Sequence, residues 1–86
     1  MYKKEVTVKS MTGFHARPGA DIVKMALAFK SDIFLEVNGL KINSKEVLEV
    51  LGANVKLGDL VTVIAKGEDE REAVTEIAHY IETVEG

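Results

Sequence analysis

The stretch LVTVIA, residues 60–65, constrains the fold of this chain more than any other. It is β-branched and almost continuously apolar, the composition of a strand in the middle of a sheet. The rest of the chain must supply its neighbours. EVTVK, residues 5–9, alternates polar and apolar with Val6 and Val8 on one face, which is the period of a half-buried strand. DIFLEV and LKIN flank Asn38-Gly39, a dipeptide favoured in two-residue type I′ turns because both central positions need positive φ. These two segments form a hairpin.

Helical periods fill the gaps. Between Ala16 and Phe29, the residues Ala16, Ala20, Val23 and Leu27 recur at spacings of three and four. Ser44 is placed to cap a short helix through Glu46, Val47, Leu48, Val50 and Leu51, ending near Gly52 or at latest Gly58. Asp69 and Glu72 form an acidic variant of the capping box, ahead of a stripe of Val74, Ile77, Ala78 and Ile81. The order is βαββαβα. It predicts one α+β domain over residues 1–86, an open-faced sandwich with amphipathic helices on one face of a largely antiparallel sheet. A domain of this size buries only ~60–65% of the surface its unfolded chain exposes, so its core is thin.

Charge and cysteine content exclude several functions. A formal net charge of −3 argues against bulk affinity for nucleic acid, which needs a basic surface. The absence of cysteine removes disulfides, thiolate metal sites and thiol nucleophiles, and suits a reducing cytosol. The charged, alternating N-terminus MYKKEVTVKS has no apolar signal region, and no run approaches the ~18 apolar residues of a membrane span. The expectation is a cytoplasmic protein without membrane insertion.

One segment concentrates chemistry. TGFHARPG, residues 12–19, holds His15, Arg17 and the chain's single proline, Pro18. Proline is tolerated in the first turn of a helix, where backbone donors have no helical acceptor. It also disfavours α geometry in the residue before it, so the helix begins between Ala16 and Pro18, with His15 at or just before its N-terminus. Free amides and the positive end of the helix dipole favour an anion there. Arg17 adds a fork of donors matched to phosphate oxygens. A neutral imidazole in such a place can accept a phosphoryl group as well as bind one.

GFHARPG, followed by a helix, NGLKIN, a short helix, LGDLVTVIAKGEDE and a closing helix, resembles the HPr family, the histidine-containing phosphocarriers of the phosphoenolpyruvate:sugar phosphotransferase system. The similarity runs over nearly the whole chain. It implies a four-stranded antiparallel sheet of order 1-4-2-3 backed by three helices. It also implies a carrier, not an enzyme, in which His15 takes a phosphoryl group on Nδ1 from phosphorylated enzyme I and passes it to a histidine of a sugar-specific enzyme IIA. Arg17 and the backbone amides of Ala16 and Arg17 would hold the phosphate. No metal or organic cofactor is implied, since Mg²⁺ serves enzyme I.

Partner docking in the family maps onto Phe14, Ala20, Val47, Leu48 and Leu51, with Lys24 at the rim. A short helix must still bury something, so Val50 and Leu51 are expected partly inside and Leu48 largely exposed. The position of the serine phosphorylated by a regulatory kinase in many Gram-positive relatives is occupied by Glu46, which removes that regulation at this site. Glu46 is read here as a helix-start carboxylate, with a permanent partial mimic of phosphoserine as the other reading. His79 shares a helix face with Glu76 and is read as solvated, without a role. Three functions follow: a phosphocarrier, monomeric with transient partners; a regulatory relative whose His15 phosphorylation is sensed by carbon or nitrogen control proteins; or a domain that binds a free anion through His15 and Arg17.

Overall fold

The computed structural model describes residues 1–85, with Ala16 described by its backbone alone. The elements are β1 (Tyr2–Thr7), α1 (Ala16–Leu27), β2 (Asp32–Val37), β3 (Leu40–Asn43), α2 (Val47–Gly52), β4 (Leu60–Lys66) and α3 (Glu70–Thr83). They form one four-stranded sheet of order β1-β4-β2-β3, antiparallel throughout. β4 therefore has the central place that its composition predicts. It pairs with β1 from Tyr2↔Ala65 to Thr7↔Leu60, and with β2 from Asp32↔Lys66 to Glu36↔Thr62. The hairpin between β2 and β3 turns on Asn38 at φ 51° and Gly39 at φ 80°, both in the left-handed region that a type I′ turn requires.

Register explains the apolar run. Val61, Val63 and Ala65 of β4 face inward with Val6, Ile33, Leu35 and Val37, and all are buried. Ile64 lies on the other face, between its partners Lys3 and Phe34, where Lys41 Nζ sits 4.6 Å from the centre of the Phe34 ring. α3 lies over β1, β4 and β2, α2 lies beside β3, and α1 rests on the other two helices. The α3 stripe of Val74, Ile77, Ala78 and Ile81 is wholly inside, each larger side chain contributing about 1.5–3 kcal/mol by leaving water.

Three local expectations are corrected. The buried face of α1 is Gly19, Ile22, Val23 and Ala26, whereas Ala20 and Leu27 are exposed. Of the predicted stripe, Val23 is buried and Ala20 and Leu27 are not, while the side chain of Ala16 lies outside what the structure describes. Two interleaved sets share the helical spacing, and the β-branched member Ile22 belongs to the set that faces the core.

Ser44 is not the cap of α2. Its hydroxyl donates to the Ile33 carbonyl at 2.8 Å and is fully buried, tying the end of β3 to β2, while Glu46 stands at the N-cap without a side-chain capping bond.

Asp69 stands at the N-cap of α3, but its carboxylate serves another segment. It accepts the Ser31 hydroxyl at 2.6 Å, the Ser31 amide at 2.9 Å and the Lys30 amide at 2.8 Å, pinning the chain after α1 to the start of α3. The Ser31 hydroxyl and then the Lys30 amide hold the Asp69 carboxyl down at about 2, against an ordinary value of 3.8. Because its pKa is lowered by folding, Asp69 stabilises the fold fully above about pH 4 and progressively less as the pH falls toward 2. The thermal midpoint of wild type is therefore expected to fall more steeply across that window than that of Asp69→Asn. Parallel curves would remove this role.

Candidate functional site

The loop before α1 is held from both ends. Val8 N–H donates to the Asp59 carbonyl and Gly58 N–H to the Val8 carbonyl, both at 2.9 Å, so the segment after β1 runs beside residues 55–59. Gly13 follows at φ 62°, a conformation that leaves its N–H on the Ser10 carbonyl at 3.1 Å. A Cβ at Gly13 would stand 1.9 Å from the Val55 carbonyl oxygen, so glycine is required for space as well as for geometry. Phe14 N–H then donates to that same Val55 oxygen at 3.3 Å, and the Phe14 ring enters the core.

This bracing leaves His15 as the N-cap of α1, extended at φ −80° and ψ 157°, with its side chain exposed and its N–H on the Thr12 carbonyl at 3.2 Å. The helix starts at Ala16, as Pro18 in its first turn predicts. Amides of the first turn have no acceptor within the helix, and Pro18 has none to offer. No acidic residue lies in that turn. The N-terminus of α1 thus presents backbone donors and the positive end of its dipole beside an accessible imidazole.

Arg17 is on the same turn and is 76% exposed, with Nε 3.8 Å from Asp21 Oδ2. That oxygen also accepts the Tyr80 hydroxyl at 2.6 Å. Burial, and then the bond to Asp21, pushes the Tyr80 phenol up to about 12. Asp21 and Tyr80 are the residues missed by the sequence reading. The i, i+4 spacing of Arg17 and Asp21 could have suggested half of this arrangement. Nothing in the sequence marks Tyr80, 59 residues from Asp21, as the other half.

The predicted docking residues do not all share one surface. Ala20 and Lys24 are exposed on α1, Val47 and Leu48 are exposed on α2, and Leu51 is half-buried between the packed helices. Leu48 is 83% exposed and Val50 is fully buried. Phe14 is the correction: at 1% exposure it is a core residue, since the turn at Gly13 aims the ring inward while His15 faces out. Glu46 is exposed at the start of α2, where Glu49 rather than Glu46 reaches back to accept the Asn43 amide at 3.0 Å. Among the described residues, no group of three His, Cys, Asp or Glu side chains could hold a metal, and no helix is long and apolar enough to cross a membrane.

Fold and site together define a small α+β protein that offers a solvent-facing histidine at a helix N-terminus. The family model described as the PTS HPr component phosphorylation site matches residues 2–83. The HPr-like protein Crh of Bacillus subtilis is 43% identical over 82 residues, covering 95% of this chain and 96% of its own. The phosphocarrier protein HPr of Borreliella burgdorferi is 34% identical, covering 96% of each chain. Among solved structures, HPr of Thermoanaerobacter tengcongensis superposes with a TM-score of 0.92 at 35% identity, covering 96% of this chain and 93% of that one. The chain belongs to the HPr family of phosphocarrier proteins of the phosphotransferase system.

Proposed function

We propose that this protein is a cytosolic phosphocarrier in which His15 receives a phosphoryl group from phosphorylated enzyme I and delivers it to a histidine of an enzyme IIA. The observation that carries this reading is the exposed imidazole of His15 at the N-cap of α1, beside first-turn amides and Arg17. A neutral ring nitrogen of His15 attacks phosphorus, and the donor's N–P bond breaks as the new one forms. The same exchange in reverse hands the group to the acceptor. Little covalent chemistry is asked of the carrier, so positioning and charge stabilisation carry the step. The Ala16 and Arg17 amides and the Arg17 guanidinium meet the phosphoryl oxygens, and each charge-assisted bond contributes about 1.5–3 kcal/mol.

Ala20, Lys24, Val47, Leu48 and the edge of Leu51 form the docking face for both partners, with Phe14 behind it as support. Complexes on so small a face are transient, as a relay requires, and the carrier itself acts as a monomer. Glu46 leaves no hydroxyl for a serine kinase at the start of α2.

The test is incubation with enzyme I, phosphoenolpyruvate and Mg²⁺, read by phosphorus-31 NMR beside His15→Ala. A phosphoramidate signal is expected in wild type and none in the variant. An unmodified wild type, with enzyme I of the same organism, would overturn the reading.

The Bacillus relative named HPr-like protein Crh, at 43% identity against 34% for the Borreliella phosphocarrier, favours a second reading. In it, control proteins sense the phosphorylation state of His15. Delivery of phosphate from the modified protein to an enzyme IIA separates the two.

A further inference from the structure

Arg17 has two anions to choose between. One is the phosphoryl group that His15 would carry at the N-terminus of α1. The other is already present: Asp21 Oδ2 lies 3.8 Å from Arg17 Nε, one turn further along the helix and away from His15. Asp21 is not a freely moving surface carboxylate. The Tyr80 hydroxyl reaches from α3 to the same oxygen at 2.6 Å, the short distance of a strong hydrogen bond to a charged acceptor, and Asp21 is only partly exposed. Burial, and then this contact, push the phenol up to about 12, so it remains a donor under ordinary conditions. A carboxylate fixed from a second helix keeps its place when Arg17 leaves it.

We propose that Asp21, held by Tyr80, is a positioning residue that draws Arg17 away from His15 and thereby weakens the grip of the site on a phosphoryl group. The inference rests on the reading of His15 as the phosphoryl acceptor. To meet phosphate, Arg17 must give up Asp21, so the stabilisation of phosphohistidine is reduced by the strength of that pair. A carrier gains from this competition, because a group held too firmly is passed on slowly. Asp21 touches neither the phosphate nor a partner histidine in this scheme and acts only through Arg17.

The test uses the intact protein with His79→Gln throughout, so that His15 is the sole imidazole able to react. N-phosphoimidazole serves as a donor that needs no enzyme I. Its N–P bond breaks as one to His15 forms, and the proton displaced from the His15 ring goes to the departing imidazole. The equilibrium is read by phosphorus-31 NMR at fixed imidazole concentration. Asp21→Asn keeps an acceptor for Tyr80 and removes the charge, and is expected to move the equilibrium about two- to five-fold toward phosphohistidine, the range of an exposed ion pair.

In an Arg17→Gln background the same substitution is expected to change nothing. An unchanged equilibrium in Asp21→Asn overturns the inference. So does an equal shift with and without Arg17, which would mean direct repulsion of phosphate by Asp21. A His15 that takes no phosphoryl group from the small donor overturns it as well. Reaction with N-phosphoimidazole but not with enzyme I would instead remove the proposed partner and leave the role of Asp21 to be decided by the variants.

Discussion

Phe14→Ala is expected to destabilise the protein by about 3–5 kcal/mol, the range for removing a buried aromatic side chain from a core that cannot fully close over the space. Phe14 is among the largest fully buried side chains, and its backbone is anchored through the Val55 carbonyl. For a chain of 86 residues, total stability is of order 4–13 kcal/mol, so this one change removes a large part of it. Chemical denaturation is the measurement. Leu48→Ala is the useful contrast: at 83% exposure it should alter stability by no more than about 0.5 kcal/mol while weakening partner binding. If Phe14→Ala kept wild-type stability and lost only partner affinity, Phe14 would return to the docking face.

Gly13→Ala should cost about 2–5 kcal/mol, from a left-handed backbone that disfavours a side chain and from overlap with a carbonyl that cannot rotate away. The nearest atoms to the added Cβ are the Val55 oxygen at 1.9 Å, the Val55 carbon at 2.8 Å and the Lys56 Cα at 3.1 Å, all backbone. Relief requires the loop to lift from residues 55–56, which would also break the bond from Phe14 N–H to Val55. His15 is two residues on. A loss of phosphoryl acceptance in parallel with stability is therefore expected, seen as a lower denaturation midpoint together with slower modification. A variant as stable as wild type would show that the loop has another way to sit.

The elements written in short-range chemistry were readable in advance. Asn38-Gly39 dictates its turn through φ alone, Pro18 marks the start of α1, and Val74, Ile77, Ala78 and Ile81 share a face whatever lies opposite. What failed depended on distant segments. Ser44 and Asp69 are both good capping residues by type, yet each finds a better partner across the fold, Ile33 for one and the Lys30–Ser31 turn for the other. The buried face of α1 differs from the predicted one because alanine, as at position 20, fits exposed and buried positions equally well, and because the set with Ile22 has the same helical spacing. At the site, His15 and Arg17 were legible from three consecutive letters, while the orientation of Phe14 depended on the left-handed turn at Gly13 and the Asp21–Tyr80 contact on the packing of α3 beside α1.

The central place of β4 also governs when this molecule can be born. Neither β1 nor β2 pairs with the other, and both wait for a strand that ends at Lys66. At a synthesis rate of about 5–20 residues per second, roughly one to five seconds separate the last residue of β3 from the last of β4. During that interval the nascent chain has a hairpin and one loose strand, with unpaired edges that other chains can meet. The bracing of the His15 loop by residues 55–59 is equally late. A chain cut short before residue 60 carries His15 and Arg17 but lacks the strand that joins β1 to β2.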